Sequence, residues 1–249
     1  MAENNSPPMY TDTPLAIIPT PKFQTGNRLP PWPSATTRSS AASTASTNRP
    51  LVSRRLPTSD FVGYCQAWIE CVKTHHHYEE TELFPNINKA AGTTGLTEDA
   101  VQEHGLFYAG MDRMKAYLDE KSAEFSAAEL IAILESFKEP LHNHLKAEPP
   151  AIVDLARYST EQNPIDIVAI AAAAAGKKQI NFGFFLHTVP VFFLNMETAT
   201  FEGGMWHGVF PPLKGLARTS VNNVMPMWHS SRWRLASCTP EGEYKQLAV

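Results

Sequence analysis

The chain has 249 residues, a formal net charge of −4 and no dense block of basic residues. This length accommodates one domain with a sizeable extension, and the charge pattern argues against nucleic-acid binding. The three cysteines form neither a disulfide framework nor a paired thiolate motif, and no signal peptide is recognised, so we expect a protein of the reducing cytoplasm.

Residues 1–57 are rich in proline, serine and threonine and show no apolar period. A segment of this composition cannot bury enough apolar surface to offset the entropy lost on folding. We therefore predict a disordered N-terminal segment outside the packed core.

The first helical pattern follows, with an apolar stripe whose members are three and four residues apart. Its members are Phe61, Cys65, Trp68, Val72, His76, Glu80 and Leu83. A histidine and a glutamate thus occupy core positions, where a buried carboxylate is costly unless it is paired. Four residues apart on one helical face, the two side chains can bind the same metal ion. A solvated polar patch is the competing interpretation.

Two later segments repeat this anomaly. Residues 97–118 form a predicted helix with His104 on its apolar stripe, and residues 126–148 form another with His144 and Glu148 on its stripe. A single histidine on an apolar face is usually an ordinary core residue. Three in the same phase, two of them followed by a glutamate, indicate ligands of a shared metal site.

Prolines and glycines set the expected helix ends. Pro85 should end the first helix, with Gly92 in the loop that follows. Pro140 should kink the last helix, and the pair Pro149 and Pro150 should stop it directly after Glu148.

The spacing of these residues resembles the hemerythrin and HHE cation-binding domain family. The resemblance rests on His76-x-x-x-Glu80, on His104, on His144-x-x-x-Glu148, on the run from His75 to Pro85 and on the segment Gln102–Phe107. The tail segments Thr200–Gly204 and Phe210–Pro212 are similar to those of fungal HHE proteins. The resemblance implies an all-α, up-down helix bundle over residues 58–160. In this interpretation the first helix of the bundle is degenerate or missing. Residues 161–249 would form an irregular extension that packs on the bundle.

The resemblance also implies a non-haem iron centre. Its metal ligands would be His76, Glu80, His104, His144 and Glu148, with His75, Glu79 and Tyr108 as outer partners. The two glutamates of the ligand set would bridge two ions, His104 and His144 would serve one ion, and His76 would serve the other. A histidine that the family normally places on its first helix is lacking, so we expect one tight ion and a weak or absent second ion. The imidazole and carboxylate donors favour iron, and manganese and zinc are the alternatives.

Two functional classes follow from this site. A protein that binds or activates dioxygen, including an oxidative tailoring enzyme acting on a small molecule, requires an intact iron centre. The alternative is a non-catalytic bundle with a degenerate site that binds a partner. The apolar segments after residue 160 are too short to cross a bilayer, so no transmembrane helix is predicted. The sequence assigns neither a catalytic residue nor an oligomeric state.

Overall fold

The computed structural model describes residues 57–121, 124–161, 164–167, 169–171, 173, 182–209 and 215–245. These residues are mainly helical, which confirms the predicted all-α class. Their extended structure amounts to one isolated bridge between Cys238 and Tyr244. Among them, no helix is both long enough and apolar enough to span a membrane. The predicted disordered segment, residues 1–57, lies outside the described residues except for Pro57.

Five helices in the first half of the described chain position the site. They are α1 (Thr58–Tyr78), α2 (Phe84–Ala91), α3 (Glu98–Glu120), α4 (Ala127–Glu135) and α5 (Lys138–Asp154). A π-helical turn, Glu79–Leu83, joins α1 to α2, and a 3₁₀ turn, Leu155–Tyr158, follows α5. The extension contains the short helices α6 (Phe182–His187), α7 (Val189–Phe193), α8 (Gly215–Thr219) and α9 (Ser230–Trp233). It also contains 3₁₀ turns at Phe201–Gly204 and Met225–Met227 and a π-helical turn at Ser220–Val224.

Pro85 does not end the first helix, contrary to our prediction. In a regular α-helix its ring would collide with the carbonyl group four residues earlier. The preceding turn is instead widened, and the Phe84 amide donates to the Glu79 carbonyl in the π-helical pattern. The helical path therefore continues to Ala91, where Gly92 ends it in the left-handed conformation with φ 67°.

The last predicted helix is divided in two. Ser126 caps α4, and its hydroxyl oxygen accepts the Glu129 amide at 3.4 Å, as the capping pattern predicts. A break at residues 136–137 then separates α4 from α5. Pro140 is the third residue of α5, where a helical amide has no partner within the helix to lose, so it is compatible with the start of this helix.

The prediction that α5 stops after Glu148 is also wrong. The helix runs through Pro149 to Asp154, although a proline inside a helix costs about 3 kcal/mol. Pro149 is buried and Pro150 is exposed within the helix, and Leu155 just beyond it is buried in a second apolar cluster. Glu148 therefore lies within a packed helix and not at a fraying end.

Helix α1 lies at the centre of the apolar core. Five consecutive residues, from Phe61 to Cys65, are buried, a pattern that only a helix covered on all sides shows. α1 packs against α3 on the bundle side and against α7 and α9 of the extension. Tyr64 also donates a hydrogen bond to Asn195 at 3.1 Å, and Thr188 donates one to Glu70 at 2.7 Å. The extension is thus part of the same core as the bundle.

Two glycines of α3 give a matched test of this packing. A Cβ atom at Gly110 would lie 2.5 Å from the Cβ of Phe137, whereas a Cβ at Gly105 would meet nothing within 4 Å. Overpacking costs about 1–3 kcal/mol, and alanine improves helix propensity by about 1 kcal/mol over glycine. We expect Gly110→Ala to lower the free energy of unfolding and Gly105→Ala to raise it. Urea denaturation measures the free energy of unfolding of each variant. Equal changes in this free energy would contradict the close approach of α3 to Phe137.

Candidate metal centre

Helices α1, α3 and α5 each direct one histidine to the same point. His76, His104 and His144 are 0%, 0% and 1% exposed, and one ring nitrogen of each lies within 4.8 Å of the others. The Nε2 atoms of His104 and His144 are 3.2 Å apart. Donor atoms about 2.1 Å from a shared ion are separated by about 3–4 Å, so the three rings can reach a single cation.

Burial keeps these rings neutral. It lowers the pKa of His76 well below its ordinary value, and the neighbouring histidines add to this effect. It also lowers the pKa of His144 to about 3. The pKa of His104 is lowered by burial as well, although contact with Glu80 opposes the change. A neutral imidazole has a free lone pair, which is the form that binds metals.

His76 carries the clearest indication that a ligand belongs here. Both of its ring nitrogens are buried, and neither has a hydrogen-bond partner among the described residues. Burying an unpaired polar atom costs about 1–3 kcal/mol. A metal ion bound to His76 would remove this cost for one nitrogen, so the donor set fits a cation.

The structure distinguishes two adjacent carboxylates that the sequence could not. Glu80 was expected to bind metal, but its Oε1 lies 2.6 Å from Nδ1 of His104, on the side of the ring away from His144. Glu79, expected as an outer partner, is only 2% exposed, and its Oε2 lies 3.8 Å from Nε2 of His104. The π-helical turn begins at Glu79, and its wider path accompanies this arrangement. Glu79 thus faces the inner nitrogen of His104, whereas Glu80 contacts the outer one, and the assignment of Glu80 as a metal ligand stays a prediction.

Glu148 completes the inner group from α5. It is 4% exposed and forms a hydrogen bond with Glu79. Burial raises the pKa of Glu79 to about 8, with a contribution from the charge of Glu80. Glu79 therefore carries a proton at neutral pH, although its hydrogen bond with Glu148 opposes the rise in pKa, and an inserted cation would displace that proton.

The outer partners predicted from the sequence also lie near the site. Nε2 of His75 is 2.9 Å from Oε1 of Glu79, and His75, His76 and Glu79 form a second group of potential metal donors. Tyr108 donates a hydrogen bond from its hydroxyl to Oε1 of Glu80 at 3.3 Å. His75 thus contacts the inner group through Glu79.

One functional candidate was missed by the sequence reasoning. Glu103 extends from α3 to α5, where its Oε2 lies 2.8 Å from Nδ1 of His144. Its side chain is 40% exposed, so it lies off the apolar stripe and resembles any charged surface residue. The one available signal was its position directly before His104.

Comparisons with known proteins agree with this geometry. The family model described as the hemerythrin HHE cation binding domain matches residues 38–149, which include all the residues of the site. The match begins ahead of α1, in residues that the structure does not describe. The chain is also 26% identical over 200 residues to the "Dimeric xanthone biosynthesis cluster protein R11" of Cryptosporiopsis sp. (strain 8999). The alignment covers 80% of this chain and 73% of that protein. No solved structure matches the chain significantly. The buried histidine and glutamate cluster thus lies within residues 38–149, the part of the chain that is similar to the hemerythrin HHE cation binding domain.

Proposed function

We propose that the chain binds one non-haem iron ion through His76, His104 and His144, with Glu79 and Glu148 as carboxylate donors. The observation that carries this proposal is that both ring nitrogens of His76 are buried without a hydrogen-bond partner in the described part of the chain, within a cluster of three neutral histidines. The donor set contains nitrogen and oxygen without thiolate, which suits iron, with manganese and zinc as alternatives.

A bound iron ion would supply the capacity to bind dioxygen and transfer electrons to it. The protein would hold the ion through neutral imidazoles and exclude bulk water, since the five proposed donors are at most 4% exposed. Glu79 would release its proton when its carboxylate binds the ion. These features support a protein that binds or activates dioxygen.

The proposed context is oxidation of a small organic molecule in a biosynthetic pathway. The support is the relative from Cryptosporiopsis, whose name places it in a biosynthesis cluster for dimeric xanthones. An aromatic substrate would be consistent with that relative, and dioxygen would be the second reactant.

Metal analysis of protein purified without chelators tests the proposal. We expect about one equivalent of iron per chain after gel filtration, and a change in the optical spectrum when the anaerobically reduced protein is exposed to dioxygen. Folded protein that takes up no metal when iron, manganese or zinc is supplied would refute the proposal and favour a bundle that binds a partner. Two tightly held equivalents would contradict the single-ion assignment and direct attention to His75 with Glu79.

A further inference from the structure

Two partly exposed carboxylates lie behind two of the buried histidines. Oε1 of Glu80 is 2.6 Å from Nδ1 of His104, and Oε2 of Glu103 is 2.8 Å from Nδ1 of His144. The side chains of Glu80 and Glu103 are 28% and 40% exposed, whereas both histidine side chains are fully buried. Each carboxylate therefore contacts the outer nitrogen of a ring whose inner nitrogen faces the cluster.

This arrangement determines which nitrogen carries the proton. A neutral imidazole has one N–H donor and one lone pair, and a carboxylate at Nδ1 accepts the proton that the ring can donate. The lone pair is then at Nε2. Because the Nε2 atoms of His104 and His144 are 3.2 Å apart, two lone pairs directed at each other would repel unless a cation lay between them.

We propose that Glu80 and Glu103 are positioning residues, which hold His104 and His144 in the Nδ1–H tautomer so that both Nε2 atoms bind the metal. The inference rests on the proposed metal site, and it assigns to Glu80 a role different from that of a bridging ligand. Carboxylates that orient metal-bound histidines in this way typically contribute 10–100-fold to metal affinity.

The experiment uses zinc as a diamagnetic probe in the full chain. Competition with a chromophoric chelator should show zinc affinity lowered by about 10–100-fold in Glu80→Ala and in Glu103→Ala. Glu80→Gln and Glu103→Gln should lose less affinity, because an amide oxygen still accepts from Nδ1. Glu120→Ala removes the same charge from an exposed position at the far end of α3 and should bind zinc like the unmodified protein.

Nitrogen-15 NMR of the zinc-loaded histidine side chains separates positioning from general loosening of the fold. Glu80→Ala should alter the Nδ1–H signal of His104 and leave that of His144 unchanged, and Glu103→Ala should do the reverse. Unchanged zinc affinity in both alanine variants, or loss of both signals in each, would overturn the inference. If the unmodified protein binds no zinc, iron or manganese, the proposed metal site itself fails, which is a separate result.

Discussion

Replacement of His104 with alanine should remove nearly all tightly bound metal from the protein. The three rings form a compact triangle, in which the His104 centroid is 4.4 Å from that of His76 and 4.6 Å from that of His144. Loss of an outer carboxylate alone typically lowers metal affinity by 10–100-fold, so loss of a direct donor should lower it by more than about 100-fold. Elemental analysis after gel filtration measures the metal retained.

The same substitution at His76 tests how many ions the site holds. Considered from sequence alone, His76 would serve a second, weaker ion, and His76→Ala would leave the tight ion in place. The structure places a ring nitrogen of His76 within 4.8 Å of the other two histidines, which favours one shared ion. We therefore expect His76→Ala to lose most of the metal as well.

Two further variants control these measurements. His142→Ala changes an exposed histidine two residues before His144 on α5 and should retain metal normally. His104→Gln fills most of the volume of the imidazole, so metal loss in this variant cannot be attributed to a cavity. Full retention of iron by both His104 variants would rule out the site.

Removal of the Glu79 carboxylate should stabilise the metal-free protein at neutral and alkaline pH. The pKa of Glu79 is raised by burial from 4.5 to about 8. Below pH 4.5 the folded and unfolded states both carry the proton, so the group does not alter the free energy of unfolding. As the pH rises from 4.5 through 8, the unfolded state ionises first and stability is lost. At pH 7 the loss is about 3 kcal/mol.

Glu79→Gln should abolish this loss in the presence of a chelator. Urea denaturation should find the variant and the unmodified protein similar near pH 4.5 and the variant more stable at pH 8. The buried histidines also affect stability in acid and are present in both proteins, so the difference reports Glu79 together with its contacts to His75 and His104. Glu120→Gln, at an exposed position, serves as the control. Parallel pH profiles for Glu79→Gln and the unmodified protein would contradict a protonated Glu79.

The meeting of the three histidines could be anticipated because each occupies an apolar stripe. In a helix of 3.6 residues per turn, a residue in phase with buried neighbours is itself directed inward. His76, His104 and His144 obey this rule, and all are at most 1% exposed. The all-α class followed from the same periodicity.

The identity of the inner glutamate could not be obtained in this way. Residues three and four positions after His76 both lie on its helical face, so periodicity does not separate Glu79 from Glu80. The inward position of Glu79 coincides with the π-helical turn before Pro85. That turn depends on backbone hydrogen bonds that the sequence pattern does not predict. Glu103 was missed because it lies on α3 and contacts His144 on α5. A contact between two different helices leaves no periodic pattern in the sequence.

The wrong predictions of helix ends at Pro85 and Pro149 have a different cause. Pro85 and Pro149 are strong local signals for ending a helix, and in both cases the helical path continues. At Pro85 a wider turn provides room, and Pro149 is buried within a helix that continues to Asp154. The preference of proline for helix ends was thus overridden by backbone widening in one case and accompanied by burial in the other.

The packing of the extension on α1 bears on how the domain can be isolated. A fragment ending at residue 149, the boundary of the family match, would lack Val191, Leu194 and Trp233, which share the core of α1. Tyr64 would also lose its acceptor Asn195. The helix that carries His76 would then expose an apolar flank to solvent, so we expect the stretch that matches the family model to be less stable alone than together with the extension.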